Sequence, residues 1–202
     1  MTLLQKEWLY GLLFGLLLLG LALGFRLWWN SPPAYALDSF TLEQRFTVLS
    51  QAHSNECSQT PAALALGRTD GRIQGSCCGA MDLHRYTEQV EGLKKYASTP
   101  KIPPDPYDIP VSLAQEFLSY QKTITLTPDQ QAIYDQAVKL SHEGGPCCCK
   151  CWRWYAFEGL AKYLITEHGF IAEQIADIWD LEDGCGGTGH TGHGADAPNG
   201  HG

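Results

Sequence analysis

Four cysteines within five residues constrain this chain more than any other feature. They form the run Cys147-Cys148-Cys149-Lys150-Cys151, directly after Gly144-Gly145-Pro146. Disulfide staples join positions that lie far apart in sequence, so they do not require cysteines side by side. A site that binds a soft metal, or that exchanges disulfides, does require thiolates close together. The run therefore predicts a functional thiol site.

An apolar segment near the start predicts a membrane anchor within residues 1–29, followed by a linker over residues 30–40. Residues 8–25 carry no charge, and their number is close to the ~20 that a helix needs to cross a ~30 Å hydrocarbon core. A cleaved signal peptide ending near Ala34-Tyr35-Ala36 is the alternative. In either case we expect the rest of the chain to be extracytoplasmic, in the periplasm or at the cell surface.

Small residues within this segment would allow two copies of the chain to associate. Gly11 and Gly15, and again Gly20 and Gly24, have the four-residue spacing that lets membrane helices approach closely. The formal net charge of −8 argues against nucleic acid or anionic lipid as a partner and favours a cation or a basic protein.

Helical spacing of apolar residues predicts an all-α fold, a small irregular bundle over residues 41–185 with cysteine-rich loops. The predicted helices lie near 41–53, from Asp82 as N-cap to Ala97, from Ser112 to about 124, and from Thr127 to about 142. Two more run from Pro146 to Gly169 and from 171 to just before Gly184. Residues 54–80 and the proline-rich segment 99–110 are predicted to be loop and extended connector. The glycine- and histidine-rich tail, 186–202, is predicted to be disordered.

Two geometries are open for the cysteine run. If Pro146 begins a helix, Cys148 and Cys151 stand three residues apart, Cys147 and Cys151 four apart, and all lie on one face. The amide groups of the first turn and Lys150 would then favour thiolate. If the run is extended, Cys147, Cys149 and Cys151 face one way at ~6.6 Å intervals, which suits a multinuclear cluster.

The run and the helix after it resemble the PCYCGC/CYCxC motif family of bacterial extracytoplasmic proteins. Pro146-Cys147-x-Cys149-x-Cys151 is similar to that signature, and Gly169–Ile175 is similar to the glycine-led helix start that follows it. The likeness covers residues 142–182, with Cys148 in place of an aromatic residue and Lys150 in place of glycine. It implies an extracytoplasmic location and metal or thiol chemistry, without a defined substrate.

Other soft ligands lie elsewhere in the chain. Cys77, Cys78, Met81 and His84 predict a second half-site that folding could bring against Cys147–Cys151, and Cys185 and His142 are further candidates. Cys57 is interpreted as a disulfide partner or a lone thiol. In the aromatic run after the cysteines, Trp152 and Tyr155 are expected to face the core, whereas Arg153 and Trp154 are not.

Three functions are compatible with these residues. The first is a membrane-anchored protein that binds Cu(I), or else Zn(II), for capture, storage or handover to a partner, without catalytic turnover. The second is a thiol–disulfide oxidoreductase that uses Cys148 and Cys151, with Cys77 and Cys78 as resolving thiols. The third is a structural module stapled by disulfides among the eight cysteines.

Overall fold

The structure is a computed structural model that describes residues 40–65, 67 and 71–187. The described part belongs almost entirely to one compact unit, which begins at Leu42. Its helices are α1 Leu42–Leu49, α2 Pro61–Ala65, α3 Leu83–Leu93, α4 Val111–Thr123, α5 Pro128–Leu140, α6 Trp152–His168 and α7 Ala172–Leu181. A 3₁₀ turn, Lys94–Tyr96, extends α3.

The prediction of a mostly helical fold is confirmed, with one element that it missed. Strand β1, Arg72–Gln74, pairs antiparallel with β2, Asp108–Pro110, and the buried residues Ile73 and Ile109 face each other. These residues were predicted to be loop and connector, because three-residue strands are too short to show a period. Helix α2 lies in the same predicted loop and was missed for the same reason.

Capping residues marked several helix ends correctly. The Asp82 carboxylate accepts a hydrogen bond from the backbone amide of Arg85 at the start of α3. Thr127 and Gln130 form a capping box at the start of α5, and Gly169, with φ of 66°, ends α6 in the left-handed conformation. These signals depend only on neighbouring residues, so they can be identified from sequence.

Other helix ends differ from the prediction. Helix α1 ends at Leu49 and not near 53, α3 ends before Ala97, and α4 begins at Val111, one residue before Ser112. The largest correction concerns α6, which begins at Trp152 and not at Pro146. The cysteine run therefore precedes this helix and does not form its first turn.

The core is organised around α6, the longest of the described helices. It packs against α4, and α5 packs against α7. Trp152, Phe157, Leu160 and Leu164 of α6 are all buried. Arg153 is buried as well, so α6 is enclosed on most sides, and the prediction that Arg153 faces away from the core is wrong.

Several predictions fall outside the described residues. They are the apolar segment 8–25, its glycine pairs, the linker 30–40 and most of the tail from residue 188 onward. Within the described ranges, none of the helices combines the length and the apolar character that spanning a bilayer demands.

The crossing of α4 and α6 requires glycine at position 159. A Cβ atom placed there would lie 1.9 Å from the carbonyl oxygen of Phe117 and 2.7 Å from the backbone nitrogen of Gln121. Backbone atoms of α4 cannot move aside as a side-chain end could. We expect Gly159→Ala to lower the free energy of unfolding by about 1–3 kcal/mol through overpacking.

Urea denaturation of the two proteins would measure this loss. Glu167→Ala, at an exposed position of the same helix, is the matched control and should change stability by no more than about 0.5 kcal/mol. Equal stability of Gly159→Ala and the unsubstituted protein would contradict the tight crossing.

Candidate metal centre

All eight cysteines converge on one region of the structure from four separate segments. Cys57 lies in the loop after α1, Cys77 and Cys78 lie between β1 and α3, and Cys185 follows α7. The run at 147–151 lies between α5 and α6. None of the eight forms a disulfide.

Backbone hydrogen bonds hold the Cys77–Cys78 segment against the Cys185 segment. The amide of Cys77 donates to the carbonyl of Gly184 over 3.0 Å, and that of Gly79 donates to the carbonyl of Cys185 over 2.8 Å. Gly186 has φ of 78°, and a Cβ atom on it would lie 2.4 Å from the carbonyl oxygen of Gly79. Only glycine permits this close approach, which explains the glycine at position 186.

The start of α6 holds the Cys57 segment. The backbone amide of Trp152 donates to the carbonyl of Gln59 over 3.1 Å, and its indole Nε1 donates to Oδ1 of Asn55 over 3.2 Å. Asn55 in turn donates through Nδ2 to the carbonyl of Gly75, next to β1. Residues 55–59 are therefore tied both to the helix that follows the cysteine run and to the strand that precedes Cys77.

The sulfur atoms form a continuous series of contacts. Starting from the cysteine run, the Sγ atom of Cys149 lies 3.5 Å from that of Cys57, which lies 2.8 Å from that of Cys78. The Cys78–Cys77 and Cys77–Cys185 distances are 3.6 Å and 3.8 Å. Cys185 returns to the run, at 3.8 Å from Cys147 and 3.0 Å from Cys148.

These sulfurs fall into sets of three in which all Sγ atoms lie within 4.8 Å of one another. Each set could hold a metal ion, and each shares a sulfur with at least one other set: Cys57/Cys149/Cys151, Cys57/Cys77/Cys78, Cys78/Cys148/Cys185 and Cys147/Cys148/Cys149. Sharing of this kind is the arrangement that a multinuclear cluster with bridging thiolates requires.

Neither geometry expected for the run matches the structure. Residues 147–150 form an irregular loop, and only Cys151 takes part in α6, as its N-cap. Gly144 and Gly145 have φ of 67° and 150°, and the Gly145 amide donates to the hydroxyl of Ser141. The chain thus turns before the run, and sulfurs in a turning loop can meet partners from several segments, which one helix face could not do.

Of the predicted half-site at 77–84, Cys77 and Cys78 belong to the thiol sets, whereas His84 belongs to none of them. His84 forms an ion-pair contact with Glu88 at 3.1 Å, and His142 does so with Asp180 at 3.4 Å. Met81 pairs through its backbone with Gly187. Among the described residues, the sets of metal-binding geometry contain cysteines alone.

Cys185 approaches the run as predicted, whereas Cys57 was missed as a cluster member. Its sequence surroundings are polar and carry no ligand spacing, and its contact with Cys149 joins residues 92 positions apart. A local motif search has no signal for such a contact.

Burial divides the thiols into accessible and inaccessible ones. The side chains of Cys78 and Cys148 are exposed, those of Cys57, Cys77, Cys149 and Cys185 are half-buried, and those of Cys147 and Cys151 are only 1% and 5% exposed. A metal carrier in solution could reach the first group directly. A metal ion could reach the buried thiols of Cys147 and Cys151 only by way of the more exposed cysteine sulfurs.

Hydrogen bonds between neighbouring thiols separate their acidities. A hydrogen bond from the Cys147 thiol, together with one from the Cys77 thiol, lowers the pKa of the Cys185 thiol to about 5. A hydrogen bond from the Cys151 thiol lowers the pKa of the Cys147 thiol to about 6. Burial raises the pKa of Cys149 to about 12 and also raises the pKa of Cys78. The thiolate form is the form that binds metal, and among these thiols Cys185 and Cys147 ionise most readily.

Arg153 is a buried cation beside the cluster that the sequence interpretation overlooked. Its Nη2 donates to the carbonyl of Pro106 over 3.0 Å, and its Nε donates to the carbonyl of Glu182 over 3.1 Å. The Glu182 carboxylate lies 3.6 Å away and is fully buried. A Cβ atom on Gly184 would lie 2.8 Å from the guanidinium carbon. Arg153 therefore joins the start of α6 to the segment that carries Cys185.

Comparisons of this chain with protein-family models, with curated proteins and with solved structures found no match. The resemblance of residues 142–182 to the PCYCGC motif stays a prediction. The function proposed below is therefore derived from this chain's own residues.

The separation of thiol acidities predicts an order of alkylation in the reduced, metal-free protein. At pH 6.5 a thiol with a pKa of about 5 is mostly thiolate, whereas one with a pKa raised above 9 is thiolate in under ~1% of molecules. We expect iodoacetamide to label Cys185 before Cys78, although Cys78 is more exposed. Peptide mapping by mass spectrometry would measure the order.

The pH dependence of the labelling rate distinguishes the effect of thiol pKa from the effect of solvent exposure. Between pH 6.5 and 8.5 the rate at Cys78 should rise about tenfold per pH unit while that at Cys185 stays nearly constant, because only Cys78 is still gaining thiolate. Faster labelling of Cys78 at pH 6.5 would contradict the assignment.

Removal of the buried Arg153 should destabilise the fold. Arg153→Met removes the donor to the carbonyls of Glu182 and Pro106 and the cation beside the Glu182 carboxyl group, whose pKa burial already raises well above its usual value. We expect a loss of about 3 kcal/mol in the free energy of unfolding. Adding Glu182→Gln should recover part of that loss, since no ionisable group then remains at the buried position. Urea denaturation of both variants checks this, with Lys122→Met, at an exposed position, as the control.

Proposed function

We propose that this protein binds a soft metal ion, Cu(I), in a multinuclear cluster of cysteine thiolates. The observation that supports the proposal is the convergence of eight cysteines from four segments into sets of three that share sulfurs. Packing does not require that arrangement, because only Cys147 and Cys151 of the eight are buried in the core. Soft thiolates select Cu(I), Zn(II) or iron–sulfur clusters.

The number of sulfurs in each set favours Cu(I) over Zn(II). Structural zinc is held by four ligands, at ~2.3 Å for sulfur, whereas each set among the described residues contains three. Three sulfurs at ~2.3 Å around one ion lie ~4 Å apart, and two contacts within the sets, Cys57–Cys149 and Cys77–Cys78, measure 3.5 Å and 3.6 Å. The Cys57–Cys78 and Cys148–Cys185 pairs would separate by about 1 Å on binding.

The proposed setting is the outer side of a membrane. The uncharged segment 8–25 supports an anchor, and the motif resemblance supports an extracytoplasmic domain. Copper capture, storage or handover suits that setting because the thiols need only bind and release an ion. Zn(II) is the second candidate ion. Dimerisation through the glycine pairs of the anchor belongs to the same proposal.

Thiol–disulfide exchange is the second candidate function, and one observation favours it. The Sγ atoms of Cys148 and Cys185 lie 3.0 Å apart, Cys148 is exposed, and the pKa of Cys185 is lowered to about 5. A reactive thiolate beside an accessible thiol is the arrangement of a redox pair. The pair differs from the predicted Cys148 and Cys151, since Cys151 is buried and has its closest sulfur neighbours among Cys57, Cys147 and Cys149.

Metal uptake by residues 37–202, purified without air or chelator, tests the proposal. We expect more than one Cu(I) per chain, with thiols masked from labelling reagents until the metal is removed. Replacing Cys147, Cys149 and Cys151 together with Ser should lower the number of Cu(I) ions bound per chain, because these residues contribute to two of the four sets. Elemental analysis and competition with a Cu(I) chelator provide the measurement.

The matched control is the double variant His84→Ala, His142→Ala. The sequence suggested both histidines as ligands, but neither belongs to a set of metal-binding geometry, so the variant should bind as much Cu(I) as the unsubstituted protein. Full uptake by the cysteine variant would contradict the site. Absence of metal together with disulfides between the cysteines would favour the redox function.

A further inference from the structure

A cavity of about 590 Å³ opens onto one side of the thiol cluster. One wall is the loop after α1 and the other is the loop between β1 and α3. Cys57, Cys77 and Cys78 contribute to the lining, and these three form one of the sets with metal-binding geometry. The rest of the lining is polar or small: Ser50, His53, Asn55, Glu56, Ser58, Ser76, Gly79 and Ala80.

We propose that this cavity is the port of the cluster, where a small thiol-bearing carrier exchanges metal with Cys57, Cys77 and Cys78. The inference rests on the proposed function and adds the route and the class of partner to it. The cavity belongs to the compact unit that begins at Leu42, and its walls are joined to the cluster by the backbone contacts of Gly79 and the side-chain contacts of Asn55.

The order of burial defines the route inward. Cys78 is exposed, Cys57 is half-buried and Cys151 is only 5% exposed. Cys57 belongs both to the set at the cavity and to the set with Cys149 and Cys151. An ion bound at the cavity can therefore pass inward by exchanging one sulfur at a time, without leaving the cluster.

Each exchange step conserves atoms and charge. A cysteine thiol of the port forms a bond to the metal, and the bond between the metal and the carrier sulfur breaks. The proton of the cysteine thiol passes to the released carrier thiol, either directly or through water. The metal keeps its oxidation state, so the step needs no oxidant or reductant.

The shape and lining of the cavity favour a small carrier over a docked protein. Its volume lies within the ~300–1,000 Å³ that is typical of small-ligand sites. The hydroxyl protons of Ser50, Ser58 and Ser76 are donated to Thr47, Glu56 and Gly79. Their oxygens remain as acceptors for the amide N–H groups of a peptide-like thiol. A protein donor would have to insert a loop into a concave surface.

The test variants place a bulky side chain on each wall of the cavity and leave the cysteines unchanged. Ala80→Trp introduces bulk at an exposed position of one wall, and Ser58→Trp does so on the other. Cu(I) is supplied as its glutathione complex, and transfer is followed by stopped-flow absorbance of the Cu–thiolate bands. Both variants should load Cu(I) at least about tenfold more slowly and reach the unsubstituted stoichiometry, because access changes and the ligands do not.

Ser119→Trp, at an exposed position of α4 outside the cavity, is the matched control and should load at the unsubstituted rate. Release of Cu(I) to excess glutathione should slow in the same two variants. Circular dichroism and the Tm identify any variant that fails to fold, and the remaining wall variant then provides the test.

Unchanged Cu(I) loading rates in both folded wall variants would overturn the proposed port. Metal exchange would then be assigned to the exposed Cys148. That result differs from failure of the proposed function, in which the unsubstituted protein itself takes up no Cu(I). Slowing in the two wall variants, with Ser119→Trp unaffected, supports the port.

Discussion

The buried side chain of Arg153 is the interaction on which the arrangement of the site depends. It lies at the start of α6, directly after the cysteine run, and holds the carbonyl groups of Glu182 and Pro106. It also stacks over the ring of Phe157, with 4.6 Å between the guanidinium carbon and the ring centre. One cation thus fixes the run relative to Cys185. The hydrogen bond from Cys77 to Gly184 extends that connection to the third thiol segment.

The helical bundle provides a rigid support, and the thiols lie in its loops. Each of the four cysteine-bearing segments lies outside the regular part of a helix or strand, where the backbone can turn. Packing of α4 against α6 and of α5 against α7 brings the ends of these elements together. Loops then supply sulfurs pointing in several directions, as a multinuclear cluster requires, and backbone hydrogen bonds restrict their motion.

The cluster combines an accessible side with a protected interior. Desolvation raises the pKa of Cys78 and Cys148, whereas hydrogen bonds from neighbouring thiols lower the pKa of Cys147 and Cys185. The accessible side therefore carries thiols that ionise late, and the deeper part carries those most readily present as thiolates. This division is consistent with a protein that holds metal and passes it on.

The sequence by itself determined the helical class and the well-capped ends of α3, α5 and α6, and it indicated the thiol run as a candidate site. These features depend on local spacing and on single capping residues such as Asp82, Thr127 and Gly169. The tertiary structure alone decided that α6 begins at Trp152, that Arg153 is buried and that Cys57 joins the cluster. Those outcomes depend on contacts such as Cys57 with Cys149, 92 residues apart, and no local pattern in a chain carries information about such a distant partner.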